Sequence, residues 1–350
     1  MHAPVRCAIL GYGPVFDFGR AHGQWISGVP ELKLAAICDR DPARTAKAAA
    51  DFPGVQTFND LDDMLARSDV DLVTVVTPHN THAELAIRCL QAGKHVIVDK
   101  PMCLTVAEAD AMVAEAQRRG LTLAVFHNRR RDGNYRLIQK LVREGAIGRV
   151  FHVELKSSGF YSPGQGWRAD KSVTGGALYD WGAHAADWLL TLIPSRAVAV
   201  SGYFHKLRWS EATISDQARA VVRFLDDTVA DLSISYVDAA PGPLWKILGT
   251  QGAILDTGAH ALTGYCPDYR FTCQSEGKLR LIRVVDGRRA EEETPYLPST
   301  WGEYYAEMAR HLLTGGPVPV SAGEGRRAIA LLEAAERSAR ERRELPVAIY

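Results

Sequence analysis

The 350-residue sequence has no surplus of charge: 41 Lys and Arg stand against 41 Asp and Glu, a formal net charge of zero. That balance removes any general attraction to nucleic acid, whose phosphates call for a basic face. The one basic cluster, Arg129-Arg130-Arg131, is short. No uninterrupted apolar stretch reaches the roughly 20 residues a bilayer span requires. The opening MHAPVRCAILG lacks the basic region, long apolar core and cleavage site of a secretory leader, so a cytoplasmic location is expected. Cysteine is sparse. Cys7, Cys38, Cys89, Cys103, Cys266 and Cys273 form no CxxC pair and no disulfide framework, and reduced, packed thiols are expected. A GxSxG elbow and a GKS or GKT phosphate loop are also missing, which leaves serine hydrolases and nucleoside triphosphatases unsupported. His79 and His82 share a loop with no third ligand suggested nearby, so no metal site is expected.

What is present reads as an ordinary globular composition, 47% hydrophobic and 23% charged, in a chain longer than one core usually organises. Two domains are expected, over residues 1–125 and 126–350. The first third alternates short apolar runs, among them Arg6–Leu10, Leu34–Cys38, Leu72–Val76 and His95–Val98, with helical periodicity over Pro42–Asp51, Leu61–Arg67, Thr81–Ala92 and Val106–Arg119. Runs such as DLVTVV and HVIVD are apolar throughout, as strands covered on both faces must be. The fold class expected is α/β followed by α+β, with an N-terminal Rossmann doubly wound parallel sheet first. Beyond a helix ending at Gly145 the runs lengthen and alternate, over Val150–Ser157, Ala197–Phe204, Ala218–Phe224, Val229–Tyr236, Trp245–Gly249 and Lys278–Val285. They predict a mostly antiparallel open sheet with helices on one face. Its other face, expected to be broadly apolar, would meet a second copy of the chain, giving a homodimer or homotetramer.

Gly11-Tyr12-Gly13 stands directly after the first strand, where the pyrophosphate of a dinucleotide needs a backbone that turns tightly and lets it approach. Phe16 occupies the third glycine position of GxGxxG and Gly19 arrives three residues late, so the first helix begins late or follows a bulge. Pro14 and Val15 complete the candidate loop. Asp39 ends the second strand, where a carboxylate accepts the adenosine ribose hydroxyls and repels a 2′-phosphate; it could equally cap the helix starting near Pro42. NAD is therefore favoured over NADP, although Arg40 next door would suit the extra phosphate.

Three motifs in order resemble the Gfo/Idh/MocA oxidoreductase family: Thr77-Pro78-His79-Asn80-Thr81-His82, Asp99-Lys100-Pro101, and the run from Gly175 to His184. The similarity runs over essentially the whole chain, with Asp99 where the family commonly has Glu. It implies that Thr77, Pro78, Asn80 and His82 line the cofactor's path, with Asp99 and Pro101 flanking Lys100 across a peptide bond that is often cis. It also implies that Asn128 approaches the nicotinamide or the substrate, and that Trp167 and Arg168 border both. His82 has an alternative reading as a packed helix-start residue. Lys100, at the carboxyl edge of the sheet, can stabilise charge on a reacting oxygen, unless it is only a solvated surface lysine. Asp180 and His184, four apart on a helix, can reach one substrate together. His184 has the chemistry of the acid/base and Asp180 that of its support and of a sugar-hydroxyl ligand; otherwise they are merely a helical pair. The reaction implied is hydride transfer between NAD and a secondary alcohol of a sugar, cyclitol or sugar derivative. Two other readings use the same residues: a glycosidase that oxidises, eliminates and re-reduces, and a non-catalytic NAD- and sugar-binding sensor.

Overall fold

Strands with apolar side chains on both faces can only be buried between helical layers, and that requirement organises the N-terminal unit. The computed structural model describes residues 3–13, 17–163, 166–256, 270–347 and Ile349. They fall into two compact units, Met1–Asn128 with Cys266–Cys273 and Thr300–Arg326, and Arg129–Tyr265 with Gln274–Ser299 and Arg327–Tyr350.

The first unit begins β1 (Val5–Leu10), α1 (Phe18–Ser27), β2 (Leu32–Cys38), α2 (Pro42–Asp51), β3 (Gln56–Phe58), α3 (Leu61–Arg67), β4 (Leu72–Val75), α4 (His82–Gln91), β5 (His95–Asp99), α5 (Val106–Arg119) and β6 (Leu123–Phe126). All its strand pairs are parallel, in the order β3-β2-β1-β4-β5-β6. This is the doubly wound Rossmann sheet expected, with its order reversing between β1 and β4, where such sheets bind ligands. Helix starts follow the local chemistry. Asp41 accepts from the Ala43 amide at 2.9 Å to cap α2, and Thr105 with Glu108 forms a capping box on α5. The alternative reading of Asp39 as the α2 cap is thereby corrected, since Asp41 fills that role.

Residues 300–326 add an aromatic layer to this unit. Tyr304 donates to the Val125 carbonyl at 2.9 Å, the Tyr305 hydroxyl meets His22 Nδ1 at 2.6 Å, and Trp25 and Phe126 stack at 5.4 Å. Cys7, Cys38, Cys89 and Cys103 are buried and outside any disulfide, and burial pushes the thiols of the first three up to about 12. Cys273 is disulfide-bonded, which corrects the expectation of six reduced thiols; bridging depends on proximity in space, which sequence spacing does not report. Cys266 lies outside the described residues.

The second unit contains α6 (Gly133–Arg143), β7 (Val150–Ser158), α7 (Lys171–Thr174), α8 (Ala177–Leu192), β8 (Ala197–His205), β9 (Gln217–Phe224), β10 (Val229–Ser235), β11 (Trp245–Gly249), β12 (Gly252–Asp256), β13 (Lys278–Val285) and β14 (Arg288–Pro295). In the chain, α9 (Glu303–Thr314), α10 (Ala322–Glu341) and the two-residue β15 (Leu345–Pro346) follow. The nine-stranded sheet runs β14-β13-β12-β11-β7-β10-β9-β8-β15, and only the β7–β10 pair is parallel. One face buries Val153, Leu155, Ala220, Val222, Leu232, Trp245 and Ile247. On the alternate positions polar residues are interspersed with apolar ones such as Val221, Leu248, Leu255 and Ile282, so the face is mixed rather than the broadly apolar one expected. There Glu154 accepts from Lys156 at 2.7 Å and Lys246 at 2.9 Å, Arg219 pairs with Asp231, and Gln217 donates to Ser233 at 2.9 Å.

Asp216, with its side chain fully enclosed, ties down the turn after β8. It accepts from Lys206 Nζ at 2.7 Å and from the amides of Leu207 and Arg208, each at 2.6 Å. Burial alone would raise its pKa; these bonds outweigh it and bring the carboxyl from 3.8 to about 2. A depressed carboxyl stabilises the fold above its unfolded pKa and loses that contribution as pH falls through the folded value. Asp216→Asn is therefore expected to cost roughly 2 kcal/mol at neutral pH. The difference from wild type should vanish between about pH 4 and pH 2 in denaturant titrations.

Candidate active site

The glycine loop after β1 is shaped by steric need. At Gly11 (φ +100°) a Cβ would stand 2.4 Å from the Val76 carbonyl oxygen, so only glycine lets β1 turn against the end of β4. At Gly13 (φ +30°) no atom of the described residues lies within 4 Å of that position, so the loop is uncrowded there. Gly19 takes over the close helix–strand contact of the missing third glycine, because a Cβ there would lie 2.7 Å from the Gly11 carbonyl oxygen. Tyr12 is buried and donates to Asp51 at 2.7 Å; burial and that bond raise its phenol pKa. Asp39 accepts through one oxygen from the amides of Tyr12 at 2.7 Å and Gly13 at 3.1 Å, and through the other from Asp41 at 2.9 Å. Arg40 beside it is exposed. Pro14 and Val15 lie outside the described residues.

The ends of β4 and β5 bring together Thr77, Pro78, His82, Asp99, Lys100 and Pro101. The Lys100–Pro101 bond is cis. Asp99 accepts from the Lys100 amide at 2.8 Å, and His82 Nδ1 and Nε2 each lie 2.8 Å from a carbonyl oxygen, of Pro101 and Thr77 respectively. Thr81 bonds the Thr77 hydroxyl at 2.7 Å. Lys100 is half-buried, Asn80 exposed, and Asn128, past β6, buried.

In the second unit, α8 presents Asp180 and His184 one turn apart. An Asp180 oxygen lies 3.9 Å from Arg168 Nε, and the Arg168 guanidinium sits 4.3 Å from the centre of the Trp167 ring. His184 is buried between the rings of Trp181 (5.9 Å) and Trp188 (6.2 Å). The geometry adds two residues that sequence reasoning missed. Tyr161 and Tyr236 meet edge to face at 5.6 Å, and burial, reinforced by the charge of Asp180, raises the pKa of both phenols. Their positions just past the ends of β7 and β10 were the available signal. Carboxylate, imidazole, guanidinium and aromatic faces together form a set that can hold a polyhydroxylated ring and move a proton. Among the described residues no group of three or more His, Cys, Asp or Glu is arranged to hold a metal ion, and no helix is long and apolar enough to cross a membrane.

Residues 5–127 match the model of the oxidoreductase family with an NAD-binding Rossmann fold, and residues 135–255 that of the Gfo/Idh/MocA C-terminal domain. The chain belongs to the Gfo/Idh/MocA oxidoreductase family. Among relatives of this family, the scyllo-inositol 2-dehydrogenase (NADP(+)) IolW of Bacillus subtilis (strain 168) is 29% identical, over 97% of this chain and 95% of its own. The 1,5-anhydro-D-fructose reductase of Ensifer adhaerens is 27% identical over 66% of this chain and 71% of its own. The solved structure of yvaA from Bacillus subtilis covers 98% of both chains at 26% identity with a TM-score of 0.86.

Proposed function

We propose that the protein is an NAD-dependent dehydrogenase acting on a secondary alcohol of a sugar, cyclitol or sugar derivative. The observation that carries this reading is the α8 pair, Asp180 and His184, set beside Arg168 and Trp167. Residues 1–125 bind the cofactor and residues 126–350 the substrate. The glycine loop suits a dinucleotide: Gly11 admits no side chain, and the Asp39 carboxylate at the end of β2 holds the Tyr12 and Gly13 amides in a tight turn. Gly11, Tyr12, Gly13, Asp39 and the Thr77–Pro78 turn would hold the cofactor, which would supply the hydride acceptor when bound. His184 takes the hydroxyl proton as the carbonyl forms, with Asp180 orienting the ring and binding a neighbouring hydroxyl. Lys100 supplies a hydrogen-bond donor for the negative charge that develops on a reacting oxygen. Tyr161, Tyr236 and Trp167 offer aromatic faces to the apolar side of the sugar ring.

A panel of inositols, monosaccharides and aryl glycosides incubated with NAD or NADP, read for reduced cofactor and for released aglycone, tests this. Accumulating NADH supports the dehydrogenase; aglycone without net reduction would replace it with the glycosidase, and silence across the panel with intact cofactor binding would favour the sensor. IolW uses NADP, so the preference here rests on the Asp39 carboxylate, which repels a 2′-phosphate. Asp39→Ala is expected to move the NADP-to-NAD ratio of kcat/KM toward NADP by about tenfold or more; an unmoved ratio would remove Asp39 as the selectivity residue. We also infer a homodimer or homotetramer through the open face of the second sheet, to be read as the mass in light scattering.

A further inference from the structure

β4 and β5 run side by side in register up to Val75 and Val98. Beyond that point no ladder bond is shared, and the two chains continue to Thr77 on one side and to Lys100 and Pro101 on the other. The His82 ring spans the gap, with its two nitrogens each 2.8 Å from a carbonyl oxygen, of Pro101 and of Thr77. The ring is fully buried. We propose that His82 is a positioning residue for Lys100, its imidazole tying the carbonyl next to the lysine to the end of the neighbouring strand. This rests on the role given to Lys100 above.

The chemistry of the contact is specific. A carbonyl oxygen only accepts, so each contact needs a proton on the facing nitrogen. A neutral imidazole supplies one such proton and an imidazolium both. Burial is the strongest influence and favours the neutral ring, as does the charge of Lys100; the two carbonyls and the charge of Glu108 work the other way, and the balance lies below the usual imidazole value. The His79 ring, 5.8 Å away, is a further titratable neighbour. In the neutral state one carbonyl is held by a true hydrogen bond, and protonation completes the link. No other side chain offers donors at opposite edges of a rigid ring, so Gln or Ala cannot reproduce the span.

A side chain that acts by placing Lys100 leaves cofactor affinity alone and slows the chemical step. His82→Gln is expected to lower kcat on the order of tenfold to a hundredfold, the scale set by a misplacement of about 1 Å. NADH affinity, read by fluorescence, and the thermal midpoint should stay near wild type. Lys100→Met is run beside it, on the best substrate of the panel. In the wild-type protein, long-range ¹H–¹⁵N spectra of the imidazoles should give His82 a ring proton protected from solvent exchange. The proposal is overturned by an unchanged kcat in His82→Gln while Lys100→Met is inactive, by a parallel loss of kcat, NADH affinity and thermal stability, or by a wild-type His82 ring proton that exchanges freely. Near-wild-type turnover in Lys100→Met would instead overturn the role of the lysine, and the need to position it with it.

Discussion

His184→Ala should lower kcat by a factor on the order of 10² to 10⁴, the usual worth of a positioned acid/base, while NADH binding stays intact. The expectation follows from where the ring is held. His184 sits in the middle of a sixteen-residue helix, α8, and Trp181 and Trp188, one turn to either side, restrict its motion. A buried imidazole in such a slot cannot be replaced by a mobile water of comparable basicity. Asp180, one turn earlier, shares its charge with Arg168 at 3.9 Å, so Asp180→Asn should act mainly on substrate affinity. Stopped-flow single turnovers separate the two: loss of the hydride-transfer rate at saturating substrate belongs to His184, a raised KM to Asp180. An unchanged single-turnover rate in His184→Ala would end the assignment.

The first unit was legible in the sequence because its signals are local. Three of its helices, Pro42–Asp51, Leu61–Arg67 and Val106–Arg119, begin and end where periodicity places them, since capping residues and apolar spacing mark both ends. Other features depend on contacts between distant segments. β14 (RRAEEETP) has no alternation to detect; it pairs with β13 by backbone bonds, with ion pairs such as Arg280–Glu291 at 2.7 Å across it. That Tyr304 and Tyr305 join the N-terminal unit is likewise invisible to a reading of periods, because nothing near residue 304 mentions Val125 or His22. The open side of the second sheet was misjudged for a different reason. Glu154, Lys156, Arg219 and Asp231 alternate with buried residues as solvent-facing residues do, and the expectation of an apolar face weighed the fold above those letters. In the second unit a motif singled out the acid–imidazole pair, but Tyr161 and Tyr236 had none and came into view only through their nearness to Asp180.

Lys100→Met keeps the length and the apolar stem of the side chain and removes its charge and its donors, so it isolates the electrostatic contribution. The expected loss in kcat is on the order of 10² to 10³, that of deleting one donor aimed at a developing oxyanion. Two features of the local structure hold the backbone from which the ammonium extends. Lys100 is half-buried just past β5, whose central residues Val96, Ile97 and Val98 are fully buried, and its backbone is held by Asp99 on one side and by the Pro101 carbonyl's contact with His82 on the other. Because the charge appears on the oxygen only as the proton leaves, the loss should fall on kcat and kcat/KM alike, with little change in ground-state binding. Lys100→Arg supplies the control: it restores the charge but with a planar fork in place of a point donor, so it should recover only part of the rate. Full activity in Lys100→Met, measured at saturating cofactor, would mean that the oxygen's charge is met elsewhere.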